Sequence, residues 1–491
     1  MSRKNNLEEL IDALTPTEKR YLSIFANRQF DKSQQKYLRL FENMDAVNSK
    51  SPVVFSPSDK NYLYNFILKA MRSYHEGKGI DTQLKELLLS SSFLLDKRLY
   101  EQSDKLLQKA KELALQFDRH AVLLEIIFLK SRSVIEHNAK NSLEELLQLH
   151  TESNVTMQML AEDDQLIKSQ QLIFIEHRMH YHAQLEKHEP LIKKIETQLA
   201  EERISERFTP HYYALFMLAI YYHCQADYKK CAELYEQLIV LWEKYPDRLK
   251  EESIGYKKTL SNYLTICHAL LKFDQFPILL ERIRSIPCRT IEEEAEQFQN
   301  LQFMELLHLM NTDGFDKLDN FASATRAGIM RYRTKINKAR EVAFYYNLAV
   351  AYFVKQDWKN SLEWLTLIIN STKNQYRQDI QNFSRLFRLM LWYEKGEHDL
   401  LEYELINVER FLRSHKAWHA FPSAITHLIG KLIHEEPKNH KSIFDKFSNL
   451  VQNLKVDEEK NSMLGKQEFL YWTRSHLENA PMRKFLQQNA T

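Results

Sequence analysis

Glycine and proline are scarce in this chain of 491 residues. It contains 8 glycines and 11 prolines, whereas average usage would give roughly 34 and 25. Because tight turns between strands depend on these residues, the shortage argues against a sheet-rich fold. Charged residues make up 27% of the chain and hydrophobic residues 44%, which is the balance of a folded globular protein and not of a disordered one.

The chain also contains few cysteines and no large excess of positive or negative charge. The cysteines Cys224, Cys231, Cys267 and Cys288 form no C-x-x-C pair, so we expect reduced thiols that pack as small side chains. Lysine and arginine (68) nearly balance aspartate and glutamate (66). The chain therefore has no overall field that would attract nucleic acid or an acidic membrane surface.

Long apolar runs are missing as well. The longest uncharged apolar runs, residues 212–224 and 342–354, are shorter than the roughly 20 residues of a membrane-spanning helix. Near the N-terminus, Glu8, Glu9 and Asp12 stand where a secretion signal would be apolar. We therefore expect a soluble, cytoplasmic protein without membrane contact.

Residues 209–246 show the clearest pattern of paired helices. Thr209-Pro210 predicts a helix start, with the threonine as N-cap. After a short polar break at 225–227, apolar residues recur at steps of three and four, which indicates one face of a second helix. Two helices joined by so short a break pack antiparallel. The residues of the second apolar face are Tyr228, Cys231, Tyr235, Leu238 and Trp242.

This segment resembles a tetratricopeptide repeat, which carries L-G-x-x-Y in its first helix and A-x-x-x-F in its second. A second good match lies at 348–365, and the proline that closes the first segment, Pro246, lies three residues later than in the family. The resemblance implies an all-α, right-handed α-α superhelix, or α-solenoid, with a concave groove. The matching residues are Leu218, Ala219, Tyr222, Cys231 and Tyr235, then Leu348, Ala349, Tyr352, Ser361 and Leu365.

Weaker copies of the pattern extend the array in both directions. Together with the two good matches they predict eight hairpins between about residues 83 and 436, at a period near 40. We therefore predict a small N-terminal helical module at 1–80, a hairpin array at 81–438 and C-terminal capping helices at 439–491. An irregular bundle of unrelated helices is the alternative. Second helices of the weaker copies are predicted to start near Tyr100, Ser142, His188, Phe276, Phe315 and His398.

Motifs for catalysis are absent from the sequence. No G-x-G-x-x-G, G-x-x-x-x-G-K-[ST] or G-x-S-x-G occurs, so neither a nucleotide site nor a hydrolase elbow is predicted. Glu176, His177, His180 and His182 form the richest cluster of metal-binding side chains, but a zinc site would need a second ligand-bearing segment. We expect no metal, no cofactor and no enzymatic activity, and interpret this cluster as a polar helix surface.

Aromatic and apolar residues on the first helices are the candidate binding residues. In tetratricopeptide arrays the first helices line the groove, and the family's chaperone-binding members clamp a carboxylate there with Lys, Arg and Asn. Those residue types are missing here, so the resemblance implies a groove for a hydrophobic peptide or helix. The alternative is that these side chains pack against the next hairpin. The predicted groove residues are Tyr213, Phe216, Ile220, His223, Tyr346, Val350, Phe353, Phe383, Leu386, Met390 and Tyr393.

The leading functional hypothesis is a non-catalytic scaffold whose partner is a protein or peptide. A transcriptional regulator with an N-terminal helix-turn-helix and a peptide-sensing repeat domain is the alternative. Its recognition helix would have mainly Lys32, Lys36 and Arg39 to reach DNA, so we expect no nucleic-acid binding. An enzyme ranks third, and the sequence gives no signal for an oligomeric state.

Overall fold

The computed structural model describes residues 6–29, 35–45, 56–137, 141–180, 185–201, 204–312, 314–370, 377–453 and 464–488. Every regular element in these ranges is helical, which confirms the all-α class. None of the helices described there is long and apolar enough to cross a membrane. Contacts divide the chain into two compact units, residues 1–259 (unit 1) and 260–491 (unit 2).

Unit 1 consists of four N-terminal helices followed by helical hairpins. A 3-10 turn at Leu185–His188 directly precedes its ninth helix. Its helices are α1 (Asn6–Ala13), α2 (Pro16–Gln29), α3 (Gln35–Asp45), α4 (Pro57–Tyr74), α5 (Ile80–Asp96), α6 (Tyr100–Gln116), α7 (His120–His137), α8 (Ser142–His180), α9 (Glu189–Ala200), α10 (Phe208–Cys224), α11 (Tyr228–Lys244) and α12 (Pro246–Glu251).

Helices α1–α4 share a hydrophobic core of their own, which includes the fully buried Ile11 and Ile67. A capping box opens α2, because the Glu18 amide donates to Thr15 Oγ1 at 3.2 Å and the Thr15 amide donates to Glu18 Oε2 at 2.8 Å. Lys36 Nζ pairs with Asp59 Oδ1 at 2.7 Å. One of the three cations proposed to reach DNA is thus held by a carboxylate, and Lys32 lies outside the described residues.

One long helix replaces a break that the eight-hairpin prediction requires. Helix α8 runs unbroken for 39 residues, and it packs against both α7 and α10. Residues 142–180 contain neither glycine nor proline, so nothing in their chemistry ends the helix. Helix α8 is therefore shared by the hairpins predicted on either side of the missing break, and the spacing of the repeats in this part of the sequence is irregular for that reason.

Unit 2 continues the pattern of hairpins, and 3-10 turns at Phe273–Gln275 and Phe315–Lys317 precede two of its helices. Helix α13 crosses the division between the units, and the predicted boundary at 438/439 falls inside α22. The described helices of unit 2 are α13 (Ser253–Ala269), α14 (Phe276–Ser285), α15 (Ile291–Asn311), α16 (Leu318–Arg331), α17 (Lys338–Val354), α18 (Trp358–Ile369), α19 (Gln378–Lys395), α20 (His398–Ser414), α21 (Ala420–His434), α22 (Pro437–Gln452), α23 (Lys466–Glu478) and α24 (Arg483–Gln488).

The hairpins α5/α6, α10/α11 and α17/α18 turn in the same way. The residue two places before the second helix has a positive φ, 61° at Arg98, 57° at Ala226 and 64° at Gln356. The next amide then donates to the carbonyl five residues earlier, as from Asp227 to Tyr222 at 3.0 Å. This is the C-terminal helix motif that glycine favours, and the glycine-poor chain builds it with other residues.

These hairpins also cross at the same point, between small residues. In each, a hydroxyl or thiol on the second helix donates to a carbonyl twelve residues earlier on the first helix, which the close approach of small residues permits. The pairs are Ser103 to Ser91 at 3.1 Å, Cys231 to Ala219 at 3.4 Å and Ser361 to Ala349 at 2.8 Å. Burial raises the pKa of the Cys231 thiol to about 12, so it packs as a neutral side chain.

Candidate functional site

A cavity of ≈ 580 Å³ lies in unit 1, within the size range of ligand pockets. Five segments form it: the α6–α7 turn with the start of α7, the middle of α8, the start of α10, the end of α11, and α12 with the start of α13. The closing proline of the repeat-like segment, Pro246, begins α12 and so brings Arg248 to the wall. We call this the unit 1 cavity.

A buried ion pair forms one wall of the unit 1 cavity. Arg248 Nη2 lies 3.2 Å from Asp118 Oδ2, and the two side chains are 3% and 5% exposed. The same carboxylate oxygen accepts the Thr209 amide at 2.9 Å. Burial lowers the pKa of Arg248, but a guanidinium keeps its charge at neutral pH. Its Nε is buried without a hydrogen-bond partner.

A second buried cluster lies beside it. Asp163 Oδ2 is 2.9 Å from His120 Nδ1 and accepts from Arg207 Nη1 at 3.0 Å. Asp163 Oδ1 and Arg207 Nη2 are buried without a hydrogen-bond partner, and Nη2 lies 3.6 Å from the carboxylate oxygen Glu162 Oε2. An unpaired buried polar atom costs about 1–3 kcal/mol, so this cluster has hydrogen-bonding capacity that the chain itself leaves unused.

Aromatic rings cover the side of the cavity formed by α10 and α11. Phe208 stacks on Tyr212 at 5.5 Å between ring centroids, and both rings meet Trp242, at 4.6 and 5.6 Å. Trp242 Nε1 donates to Thr259 Oγ1 at 3.1 Å. A Cβ at Gly255 would lie 2.8 Å from the Trp242 ring, so glycine is needed there for the ring to keep its place.

Carboxylates outnumber cations around the cavity. Asp118, Asp163, Asp164 and Glu252 line it together with two arginines, Arg119 and Arg248. Arg119 Nη2 pairs with Glu252 Oε1 at 2.7 Å. The lining also includes three exposed residues, Ala121, Asp164 and Ile254, which mark the side of the cavity that faces solvent.

The His120–Asp163 pair has the geometry of a base and its orienting carboxylate, but no nucleophile accompanies it. Among the described residues, the hydrogen-bond partners of His120 are Asp163 and Arg207, and a nucleophile would need to lie within the same reach. The described residues also contain no group of three or more metal-binding side chains placed to hold an ion. The arrangement is suited to binding a ligand.

The histidine cluster that we interpret as a polar helix surface lies largely outside the described side chains. The side chains of His177 and His180, and all of His182, lie outside the described residues. Their neighbour Glu176 pairs with Lys187 at 2.7 Å and with His188 at 2.6 Å. These partners lower the pKa of the Glu176 carboxyl.

The four predicted groove residues of unit 1 all lie on α10, but only one reaches the cavity. Tyr213 lines it, and burial raises the pKa of its hydroxyl. Ile220 is buried in the core. Phe216 and His223 are half-buried, with Phe216 stacked on Tyr212 at 5.7 Å.

The predicted groove residues of unit 2 do not form an open face. Side chains of α23 contact Tyr346, Phe383 and Tyr393, so the alternative of packing describes this region and replaces the expected accessible groove. Of the seven predicted groove residues in unit 2, Tyr393 is half-buried and the other six are buried. The six buried residues are Tyr346 (5% exposed), Val350 (3%), Phe353 (2%), Phe383 (3%), Leu386 (3%) and Met390 (0%).

Comparisons with known proteins include a likeness to a solved structure. No family model matches the chain, and no curated protein matches it. Among solved structures, the crystal structure of the apo form of RapI is 14% identical to this chain, with a TM-score of 0.42. The likeness covers 81% of this chain and 99% of that chain. At this level of similarity, nothing about the function of this chain follows from it.

Proposed function

We propose that this protein is a non-catalytic binding protein that takes a peptide, or an extended segment of another protein, into the unit 1 cavity. The observation that carries the proposal is the set of buried polar atoms left without partners at and beside the cavity. Asp163 Oδ1 is an acceptor, whereas Arg207 Nη2 and Arg248 Nε are donors. A ligand that offers both donors and acceptors would relieve both kinds.

Peptide backbone has this dual character, because each residue other than proline carries one N–H donor and one C=O acceptor. A simple cation would serve only the carboxylate and a simple anion only the guanidiniums. The rings of Phe208, Tyr212 and Trp242 supply the apolar surface on which a ligand side chain would pack. We therefore favour a peptide over a small ion.

Peptide display tests this proposal directly. Random peptides would be selected on the full-length protein, and the enriched sequences measured by fluorescence polarisation. We expect binding to weaken at least tenfold in Ala121→Trp, because an indole at this lining position would occupy cavity space. Ala161→Trp, on the exposed surface of α8 and absent from the lining, is the matched control and should bind within about twofold of wild type.

Two results would contradict the proposal. The first is a selection that enriches no peptide. The second is enriched peptides that bind Ala121→Trp as tightly as wild type, which would place their site outside the unit 1 cavity.

A further inference from the structure

Helix α23 docks on the first helices of unit 2 through a partly buried polar contact. The Tyr346 hydroxyl of α17 donates to Glu468 Oε1 of α23 at 2.6 Å. Burial raises the pKa of both groups, so the contact joins a neutral hydroxyl to a carboxyl that resists ionisation. Next to it, Phe469 meets the Phe383 ring of α19 edge-on at 5.7 Å.

A second anchor lies one turn further along α23. Trp472 Nε1 donates to Glu394 Oε1 at 2.6 Å, and His476 Nε2 lies 2.7 Å from the same oxygen. The Trp472 ring also meets Tyr393 of α19 at 5.6 Å, nearly perpendicular. The residues of α23 that make these contacts follow a helical spacing, with Glu468, Trp472 and His476 at intervals of four.

The entry to α23 is fitted to the same surface. Gly465 precedes the helix with φ 81° and is buried. A Cβ placed there would lie 1.8 Å from the Phe383 ring. Backbone and ring therefore meet directly, and only glycine satisfies both the left-handed conformation and the contact.

Tyr346, Phe383 and Tyr393 are first-helix positions that the sequence pattern assigns to a binding groove, and α23 lies on them as a bound helix would. Two partly buried polar anchors distinguish this contact from purely apolar packing, because each gives a geometric requirement that an unrelated helix would fail to meet. We call the surface of α17 and α19 under α23 the unit 2 groove.

We propose that the unit 2 groove is a helix-recognition site which α23 occupies as an internal ligand, and that a helix of another protein competes with α23 for it. The partner helix would carry a carboxylic acid at one position and aromatic residues one and four positions later, as Glu468, Phe469 and Trp472 do. While α23 is docked, the groove is closed to that partner.

A synthetic peptide spanning residues 464–480, labelled with a fluorophore, is the probe. A tethered helix has an effective concentration on the order of millimolar, so micromolar peptide should bind full-length wild type only weakly. In full-length Gly465→Ala the added methyl group would collide with the Phe383 ring and weaken docking of α23. We expect the peptide to bind this variant at least tenfold more tightly than wild type.

The matched control is Gly396→Ala. Gly396 also has a left-handed φ, 71°, but a Cβ there meets nothing within 4 Å. This variant carries the same backbone strain without the collision, and its affinity for the peptide should equal that of wild type. A peptide with both Glu468→Ala and Trp472→Ala should not bind Gly465→Ala.

Equal affinity for wild type, Gly396→Ala and Gly465→Ala, or no binding to any of them, would overturn the proposal. Hydrogen exchange of wild type gives an independent reading if Gly465→Ala fails to fold. Amides of α23 should then exchange well before those of α17 and α19, because an internal ligand opens locally. Exchange of all three helices at one common rate would show that α23 is an integral part of the core.

Discussion

The hairpins α10/α11 of unit 1 and α17/α18 of unit 2 are locally alike and differ in what covers them. Both turn through a left-handed residue, and both cross where a side chain donates to a carbonyl twelve residues earlier. Yet Tyr213 of α10 lines a cavity, whereas Tyr346 of α17 is buried beneath α23. The hairpin pattern therefore specifies the hairpin itself, and distant segments decide whether its first helix is accessible.

Removing one aromatic residue from each first helix should separate the two environments most strongly. Tyr346→Ala should lower the free energy of unfolding by roughly 4 kcal/mol, since it leaves a cavity under α23. Phe216→Ala should cost about 1 kcal/mol, because that ring is half-buried. Urea denaturation followed by circular dichroism measures both. Similar losses for the two variants would mean that the two helices are covered to the same extent.

Replacing one paired carboxylate in each unit should give the next largest difference in stability. Asp118→Ala should cost roughly 3 kcal/mol, because it removes the nearer carboxylate from the buried Arg248 guanidinium and leaves it only Glu252, at 3.6 Å. In unit 2, Asp319 pairs with Lys355 at 2.7 Å but is 61% exposed, so Asp319→Ala should cost less than about 1 kcal/mol. Thermal unfolding of both variants at low and high salt is the measurement. A larger loss for Asp319→Ala would reverse the assignment of buried and exposed pairs.

Lowering the pH should reduce the stability of unit 2, because two partly buried histidines are then protonated. Burial lowers the pKa of His268 and of His308, and both rings pack on Phe276. Their folded pKa lies below the ordinary value of about 6.5, so their neutral form stabilises the fold above that pH. This contribution is lost as the pH falls below it.

Unfolding measured from pH 7.5 down to pH 5 tests this expectation. The double variant His268→Gln, His308→Gln should lose less stability over that range than wild type does. A variant whose stability falls as steeply as that of wild type would show that other groups cause the acid sensitivity.

The smallest effect is expected at the shared turn. Ala226→Gly should raise stability by about 0.5–1 kcal/mol, because glycine adopts the left-handed conformation without a Cβ penalty, and Gln356→Gly should do the same in unit 2. Ala161→Gly, within α8, should instead lower stability by a similar amount. Differential scanning calorimetry resolves these changes. A loss of stability in both turn variants would mean that their side chains contribute more than the backbone strain costs.

Much of the local structure could be predicted from the sequence because it depends on neighbouring residues. Asp227 and Asp357 cap the second helices, each accepting the amide three residues later at 3.1 Å, and the helices begin where the pattern predicts. The N-cap assigned to Thr209 was wrong. Helix α10 begins at Phe208, and the Thr209 amide is bound by Asp118, 91 residues earlier in the chain.

The candidate site could not be predicted, because its partners are far apart in the chain. Asp118 and Arg248 are separated by 130 residues, and no periodicity links a turn residue with a short helix that follows a different hairpin. A helical pattern identifies which face is apolar, but it carries no information on whether solvent, a cavity or a later helix such as α23 faces it.

The three buried thiols, described above as packing groups, also allow the local opening of the fold to be followed by chemical labelling. Cys231 and Cys267 are 0% exposed and Cys224 is 4% exposed, whereas Cys288 is partly exposed. A thiol-reactive dye should therefore modify Cys288 first. Labelling of Cys224 and Cys231 would then follow the opening of unit 1, and labelling of Cys267 that of unit 2. Peptide mapping of the labelled sites would time the two units separately without any introduced probe.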